Sequence, residues 1–257
     1  MSRRAVEPLS DLALLELREE MAMDDRRRLA GLCGVTIAVT LDGQSLFMGS
    51  EVPDAILPAV IDAVNDAPVA PWPDEEPAAL AACRGLLESS CAPLNLSAGP
   101  VYSIQPRARI ETRTRIVRSD ELPVGRPRLV NPGTWEHDEW DDLLDGTLGP
   151  WAMVVVDGSV ASIAHTPGPM SERVAEVGAW THPDHRGRGY AAEATTNWAD
   201  VLRPSGRYLF YSTDAANLSS QRVAGRLELR LLGWTWTLQK VDPSGRDTRH
   251  PLSRRRP

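Results

Sequence analysis

Arg186-Gly187-Arg188-Gly189 is the stretch whose chemistry is most legible, with two glycines two residues apart and an arginine before each. Upstream, Val177 to Thr181 is a β-prone run closed by the turn signal His182-Pro183-Asp184. Downstream, Ala191, Ala194, Thr195, Trp198 and Leu202 follow a helical spacing, so a helix is expected to begin at the glycines. A strand, a glycine turn and a helix start bring unpaired first-turn amides and the positive end of the helix dipole to one point. Arg186 and Arg188 add full charges beside it. The expected ligand is a phosphate or a pyrophosphate.

Two familiar phosphate motifs fit badly. A P-loop needs Lys-Ser or Lys-Thr closing a longer glycine loop, and a dinucleotide fingerprint needs a third glycine and a later acidic residue. The stretch instead resembles the acyl-CoA signature of the GNAT superfamily of N-acetyltransferases, Arg/Gln-x-x-Gly-x-Gly/Ala, matched by Arg186, Gly189 and Ala191. The order of the following segments agrees: Tyr208 to Thr213 reads as a strand, Asn217 opens a helix, and that helix is expected to end near Leu232-Gly233-Trp234. The resemblance covers about Arg107 to Gln239. It implies a mixed-sheet α+β fold with acetyl-CoA as cofactor.

The same resemblance distributes roles. Ala179, Trp180 and Thr181 would offer backbone groups to pantetheine lying alongside as an extra strand. A strand N–H near the thioester carbonyl would stabilise the oxyanion of a tetrahedral intermediate, an effect worth about 3–4 kcal/mol. Arg186, Gly187, Arg188, Gly189, Tyr190, Ala191 and Ala192 would hold the pyrophosphate. Asn217 matches the family's cofactor-contacting asparagine, and Ser220 lies one turn later on the same side. Asn217 is also an ideal helix N-cap, and the two roles can coexist. Many members carry a tyrosine seven residues after the asparagine to protonate the leaving thiolate; here that position is Ala224. Tyr190, Tyr211, Ser220 or water are the substitutes. The subgroup with Asn-x-x-Ser and no such tyrosine includes enzymes that acetylate amino-terminal and small-molecule amines.

An alkyl ammonium with a pKa near 10 must lose a proton before it attacks, so a carboxylate or histidine is expected near the strand. Glu176 is the first choice, an acid inside an otherwise apolar run, against the plain reading of an outward-facing strand residue. His165, at the end of the preceding strand, is the second, and a surface histidine is its plainer reading. Asp214 and Glu172 are weaker candidates, while His182 and His185 flank the turn and are expected to shape it. Trp135 and Trp140 lie on an acidic segment with Glu136, Asp138, Glu139, Asp141 and Asp142. An aromatic, acidic floor would suit a cationic amine; the plainer reading is core tryptophans and a solvated acidic face.

These residues need a scaffold, and 257 residues with 42% hydrophobic content suggest two units. The expected division is 1–105 as a smaller α+β accessory domain, 106–240 as the GNAT-like domain, and 241–257 as a disordered tail carrying five arginines. In the first part a helix follows Ser10 or Asp11, Gly34 to Leu41 and Gln44 to Gly49 form a hairpin about Asp42-Gly43, and helices follow at Asp54 to Asn65 and Ala78 to Ser89. No chemical motif stands out there; a degenerate second copy of the GNAT fold is an option. Further on, strands are expected at Val101 to Gln105, Ile110 to Val117, Trp151 to Val156 and Ser159 to His165, a joint at Pro123 to Pro132 and a helix at Trp135 to Leu144.

A net charge of −7 argues against a nucleic-acid partner. No stretch approaches the ~18 apolar residues of a membrane span, and Met1 to Ser10 is no secretory signal. Cys33, Cys83 and Cys91 show neither Cys-x-x-Cys nor metal-ligand spacing, so no disulfide framework and no metal site are expected, and a reducing cytoplasm fits. The expected activity is acetyl transfer from acetyl-CoA to an amine acceptor that the sequence does not identify, by a monomer or homodimer. A non-catalytic acyl-CoA-binding module is the alternative, and a nucleotide-phosphate binder of another fold the third class.

Overall fold

The computed structural model describes residues 9–105, 110, 112–121, 129–133, 135–168 and 170–241. They form two compact units. The first takes in the described residues up to Val101 together with those from Leu232 onward, and the second runs from Tyr102 to Leu231.

In the first unit Ser10 caps α1 (Asp11–Glu19), its hydroxyl accepting the Ala13 N–H at 3.1 Å. β1 (Gly34–Thr40) and β2 (Gly43–Met48) form the expected hairpin, and α2 (Leu57–Asn65) and α3 (Ala79–Cys91) pack on one another. β3 (Leu94–Ser103) starts earlier than expected; Ser97, Gly99 and Pro100 weaken its strand signal, and its last two residues belong to the second unit. Every residue of β1 is buried, with Val35, Ile37 and Val39 facing Val60, Leu80 and Leu87 of the two helices.

Cys33, just before β1, and Cys91, the last residue of α3, are joined by a disulfide with Cα atoms 5.6 Å apart. This corrects the expectation of unpaired cysteines. Spacing along the chain carries no information about a contact made by folding a helix back onto a strand, and the argument for a reducing compartment lapses with it. Cys83 stays free and buried, and burial pushes its thiol up to about 11.

The second unit begins with β4 (Arg115–Arg118), shorter than the expected strand; Ile110 and Thr112 to Thr114 lie outside it. α4 (His137–Leu144) follows, then the hairpin of β5 (Trp151–Val156) and β6 (Ser159–His165). Its turn residues Asp157 and Gly158 both have positive φ, +50° and +81°, as a two-residue turn matched to strand twist requires. Next come β7 (Val174–Glu176), β8 (Gly178–Thr181), α5 (Tyr190–Leu202), β9 (Tyr208–Ser212) and α6 (Leu218–Arg226). β5 explains the layering. Ala152 and Val154 pack with Trp198 and Ala194 of α5, while Trp151 and Met153, on the other face, pack with Trp140 and Leu143 of α4. A strand covered on both faces reads as a continuous apolar run, and Trp151-Ala-Met-Val-Val-Val156 is one.

β10 (Arg230–Lys240) enters the sheet of the first unit, where the strand order is β2-β1-β10-β3. It pairs antiparallel with β1 from Gly34↔Gln239 to Val39↔Trp234, and the Thr36 and Thr237 hydroxyls share a buried hydrogen bond of 2.8 Å. Gly233 therefore does not end a helix, as expected, but lies within β10. A Cβ there would come 2.1 Å from the Val39 carbonyl oxygen, so close approach of β1 requires the glycine. α6 ends at Arg226, and Glu228, at φ +50°, occupies the left-handed position where a helix-terminating glycine would be usual. The expected joint at Pro123 to Pro132 and the basic tail lie for the most part outside the described residues, as do Pro106 to Arg109 at the expected domain boundary.

Candidate active site

The run Val174 to Thr181 is one stretch of sequence but two strands. β7 pairs parallel with β9, from Val174↔Tyr208 to Glu176↔Phe210, and the Val177 N–H still reaches the Phe210 carbonyl at 3.0 Å. One residue later the chain changes partner. β8 pairs antiparallel with β6, from His165↔Gly178 to Ser162↔Thr181. Strands β8 and the end of β9 thus diverge from Val177, and β8 is the edge of its sheet, ordered β4-β5-β6-β8. An edge strand has main-chain groups on its open side available for an extended ligand. Ala179 is exposed and Trp180 and Thr181 are half-buried; the Trp180 carbonyl already accepts the Ser162 hydroxyl at 2.7 Å.

From β8 the chain passes through a single turn of 3-10 helix, Pro183–His185, whose start is held by the His182 Nδ1 accepting the Asp184 N–H at 3.3 Å. His182 and His185 shape this turn, as expected, and stand in a line of rings from Trp180 through both histidines to Tyr190, at centroid separations of 6.0, 5.6 and 6.1 Å. Arg186 is extended, its Nε donating to the Thr181 carbonyl at 3.4 Å, and Arg186, Gly187 and Arg188 are exposed. Gly187 and Gly189 both take left-handed backbone, φ +74° and +88°, and Gly189 caps α5 with no side-chain bond to its first turn. First-turn amides at such a start have no helical acceptor. Ala192 is the exception within the motif: its side chain is fully buried and its N–H donates to the Gly189 carbonyl at 3.1 Å, so it offers nothing to a ligand. Glu193, which sequence reasoning missed, is buried in that first turn and accepts the Thr114 hydroxyl.

Glu176 and His165 meet the point of divergence from two sides. Glu176, the last residue of β7, is half-buried and accepts the hydroxyl of Ser212, the last residue of β9, across the place where the two strands part. His165 is buried at 3% exposure, not a surface histidine, because Trp135 covers it edge-on at 5.2 Å. Its Nε2 stands 3.3 Å from where a Cβ on Gly178, the first residue of β8, would be. Trp140 is core, Trp135 is half-buried, and Glu136, Asp138 and Asp142 are exposed, so the plainer reading of the acidic helix describes α4.

At the start of α6 Asn217 acts as the N-cap, its Oδ1 accepting the Ser220 N–H at 3.1 Å and the Ser219 hydroxyl at 2.8 Å. Asp214 is exposed and its Oδ1 accepts the Ala216 N–H of the preceding turn at 2.7 Å; Glu172 is exposed. Ala224 is buried in the core, so no hydroxyl enters from that position. Instead the Tyr211 and Ser220 hydroxyls are 2.6 Å apart. Burial pushes the Tyr211 phenol up to about 12, with the Ser220 hydrogen bond opposing and Tyr102 reinforcing the shift, so the phenol stays protonated at neutral pH. Spacing in the sequence named Tyr211 and Ser220 separately; their pairing needs the register of β9 against α6. Among the described residues no group of histidine, cysteine and carboxylate side chains is placed to hold a metal ion.

The acetyltransferase (GNAT) domain model matches residues 110–230, slightly less than half of the chain. Similar solved structures include a GNAT-family acetyltransferase from Colwellia psychrerythraea, 13% identical, covering 93% of this chain and 99% of that one with a TM-score of 0.45. A protein from Novosphingobium aromaticivorans, described as an acetyltransferase from the GNAT family, is 20% identical over 58% of this chain and 66% of its own, with a TM-score of 0.42. An N-acetyltransferase-like protein from Streptococcus suis is 19% identical over 62% of this chain and 67% of its own, with a TM-score of 0.39. The chain thus spans about two thirds of the length of the latter two. No curated protein matches the sequence. The family model falls on the segment that holds the strand divergence, the glycine turn and α6, and its acyl donor is acetyl-CoA. Over residues 110–230 this chain carries the GNAT acetyltransferase domain.

Proposed function

We propose that this protein transfers an acetyl group from acetyl-CoA to a primary amine of a small molecule or peptide by direct attack. The observation that carries the reading is the change of strand partner at Val177, followed within twelve residues by a helix that starts on a left-handed glycine. When bound, acetyl-CoA supplies the activated thioester. Residues present fit it: the open edge of Ala179 to Thr181 suits an extended amide-bearing arm, and Arg186 to Ala191 suit a pyrophosphate at a helix start.

In this reading Glu176 removes the proton from the attacking amine nitrogen, and the Ser212 hydroxyl orients its carboxylate. His165, held by Trp135 beside Gly178, is the second candidate for moving that proton. The proton for the departing sulfur comes from the Tyr211–Ser220 hydroxyl pair, in which either oxygen can donate to the other. In the arrangement where the phenol donates to Ser220 Oγ, the serine O–H protonates the sulfur while Oγ takes the phenol's proton, and water reprotonates the phenolate. Asn217 fixes the first turn that carries Ser220.

Thiol release from acetyl-CoA, followed with a panel of primary amines, tests this. Glu176→Gln is expected to lower kcat by about 10²- to 10⁴-fold while leaving CoA affinity within twofold. An unchanged kcat would remove Glu176 from the mechanism, and no amine-dependent thiol release with any acceptor would argue for the non-catalytic acyl-CoA-binding reading.

A further inference from the structure

Arg226, the last residue of α6, is distant in sequence from the glycine turn but not in space. A Cβ built on Gly189 would lie 2.6 Å from Nη1, 2.7 Å from Cζ and 3.0 Å from Nη2 of Arg226. The guanidinium therefore rests directly against the N-cap of α5, in the space that the missing side chain leaves. Gly189 thus has two reasons to be glycine, its left-handed backbone and the arginine against it.

That is a poor place for a lone cation. The N-terminus of α5 is the positive end of its dipole, where cations are disfavoured, and Arg186 and Arg188 lie within three residues of Gly189. The favourable field at the C-terminus of α6 accounts for an arginine in its last turn. It does not account for a guanidinium seated on the start of another helix. Among the described residues Arg226 has no carboxylate within ion-pair distance, in contrast to Arg28, Arg118 and Arg203, which each have one. The Arg226 guanidinium and the start of α5 are brought together in a segment that also carries Arg186 and Arg188, while the one acid of that first turn, Glu193, is buried and accepts the Thr114 hydroxyl. A bound polyanion at the turn would offset the remaining positive charge.

We propose that Arg226 is a phosphate ligand of the acetyl-CoA site and that it binds the pyrophosphate, closing the turn from the side of α6. The inference rests on the acyl-CoA reading above. A guanidinium fork suits two phosphate oxygens at once, which a lysine ammonium at the same place would not match.

Isothermal titration of CoA and of dephospho-CoA, which lacks only the 3′-phosphate, into the wild-type protein, Arg226→Gln and Arg226→Lys tests it. Arg226→Gln is expected to weaken both ligands alike by about tenfold or more, with Arg226→Lys recovering only part of the loss and a shallower salt dependence in Arg226→Gln. Arg226 is exposed, and an unchanged melting temperature without ligand would show that the variants fold. Wild-type affinity of Arg226→Gln for both ligands would overturn the assignment. A loss confined to CoA would overturn it too, since the arginine would then read the 3′-phosphate. Failure of the wild-type protein to bind either ligand would instead sink the acyl-CoA reading itself.

Discussion

The two units use similar parts differently. Each has a hairpin, helices packed on a sheet and a buried strand, β1 throughout in one and β5 up to Val155 in the other. In the first unit the regular elements keep to their sheet: β1 is paired along its length on both sides, with β2 and β10, and α3 is fastened to the start of β1 by the Cys33–Cys91 bond. In the second unit one run of sequence leaves its partner at Val177, and the helix that follows starts on bare amides where Ser10 caps α1 in the first. Satisfied main chain makes a scaffold. Main chain left open beside a positive helix start makes a site, and the difference lies in backbone pairing more than in the inventory of side chains.

The comparison can be sharpened first on the side of the scaffold. Reduction of the disulfide, or the Cys33→Ala/Cys91→Ala pair, is expected to cost about 4 kcal/mol for a bond spanning 58 residues, read as an earlier chemical-unfolding transition. Alkylation of three thiols, not one, in the protein unfolded without reductant would show that the bond is absent and that the first unit is held by packing alone. A smaller effect of opposite sign is expected in the second unit. Glu228 holds a left-handed backbone at the end of α6, which costs a non-glycine residue about 1 kcal/mol, so Glu228→Gly should raise stability by roughly that amount. Destabilisation would mean that the Glu228 side chain makes up for its backbone.

An effect of similar size at neutral pH is expected at Tyr211. Tyr211→Phe removes one hydrogen bond, worth about 1 kcal/mol. The folded phenol titrates near 12 against about 10 when unfolded, so it stabilises the fold below pH 10 and loses that contribution as pH rises towards 12. The stability gap between wild type and Tyr211→Phe should therefore narrow over that window. A gap that widens would show that burial does not favour the neutral phenol.

What was readable in the sequence follows the same line. β5 and β6 match their expected bounds because apolar runs closed by Asp157-Gly158 fix both period and turn. The glycine turn and the start of α5 were legible because glycines before a helical pattern have few other uses. The parting of β7 from β8 was not, since Glu176, Val177 and Gly178 differ in which strand pairs with them and in nothing that periodicity records. Gly233 misled for a related reason: a glycine after a leucine-rich helix reads as a terminator, whereas its role is to admit β1, some two hundred residues upstream. Arg226 and the Tyr211–Ser220 pair are contacts between elements, and no local pattern announces them.

The most direct measurement is the thermal stabilisation of the protein by acetyl-CoA and CoA, compared with ATP and NAD, in wild type and in Gly189→Trp. A ligand at about 100 times its dissociation constant adds about 2.7 kcal/mol. A side chain at Gly189 both strains a backbone at φ +88° and collides with Arg226. The account predicts stabilisation by the two CoA species only, and its loss in the variant. No response to either CoA species, or an equal response to ATP, would contradict an acyl-CoA site built on the parting of β7 and β8 and the glycine start of α5.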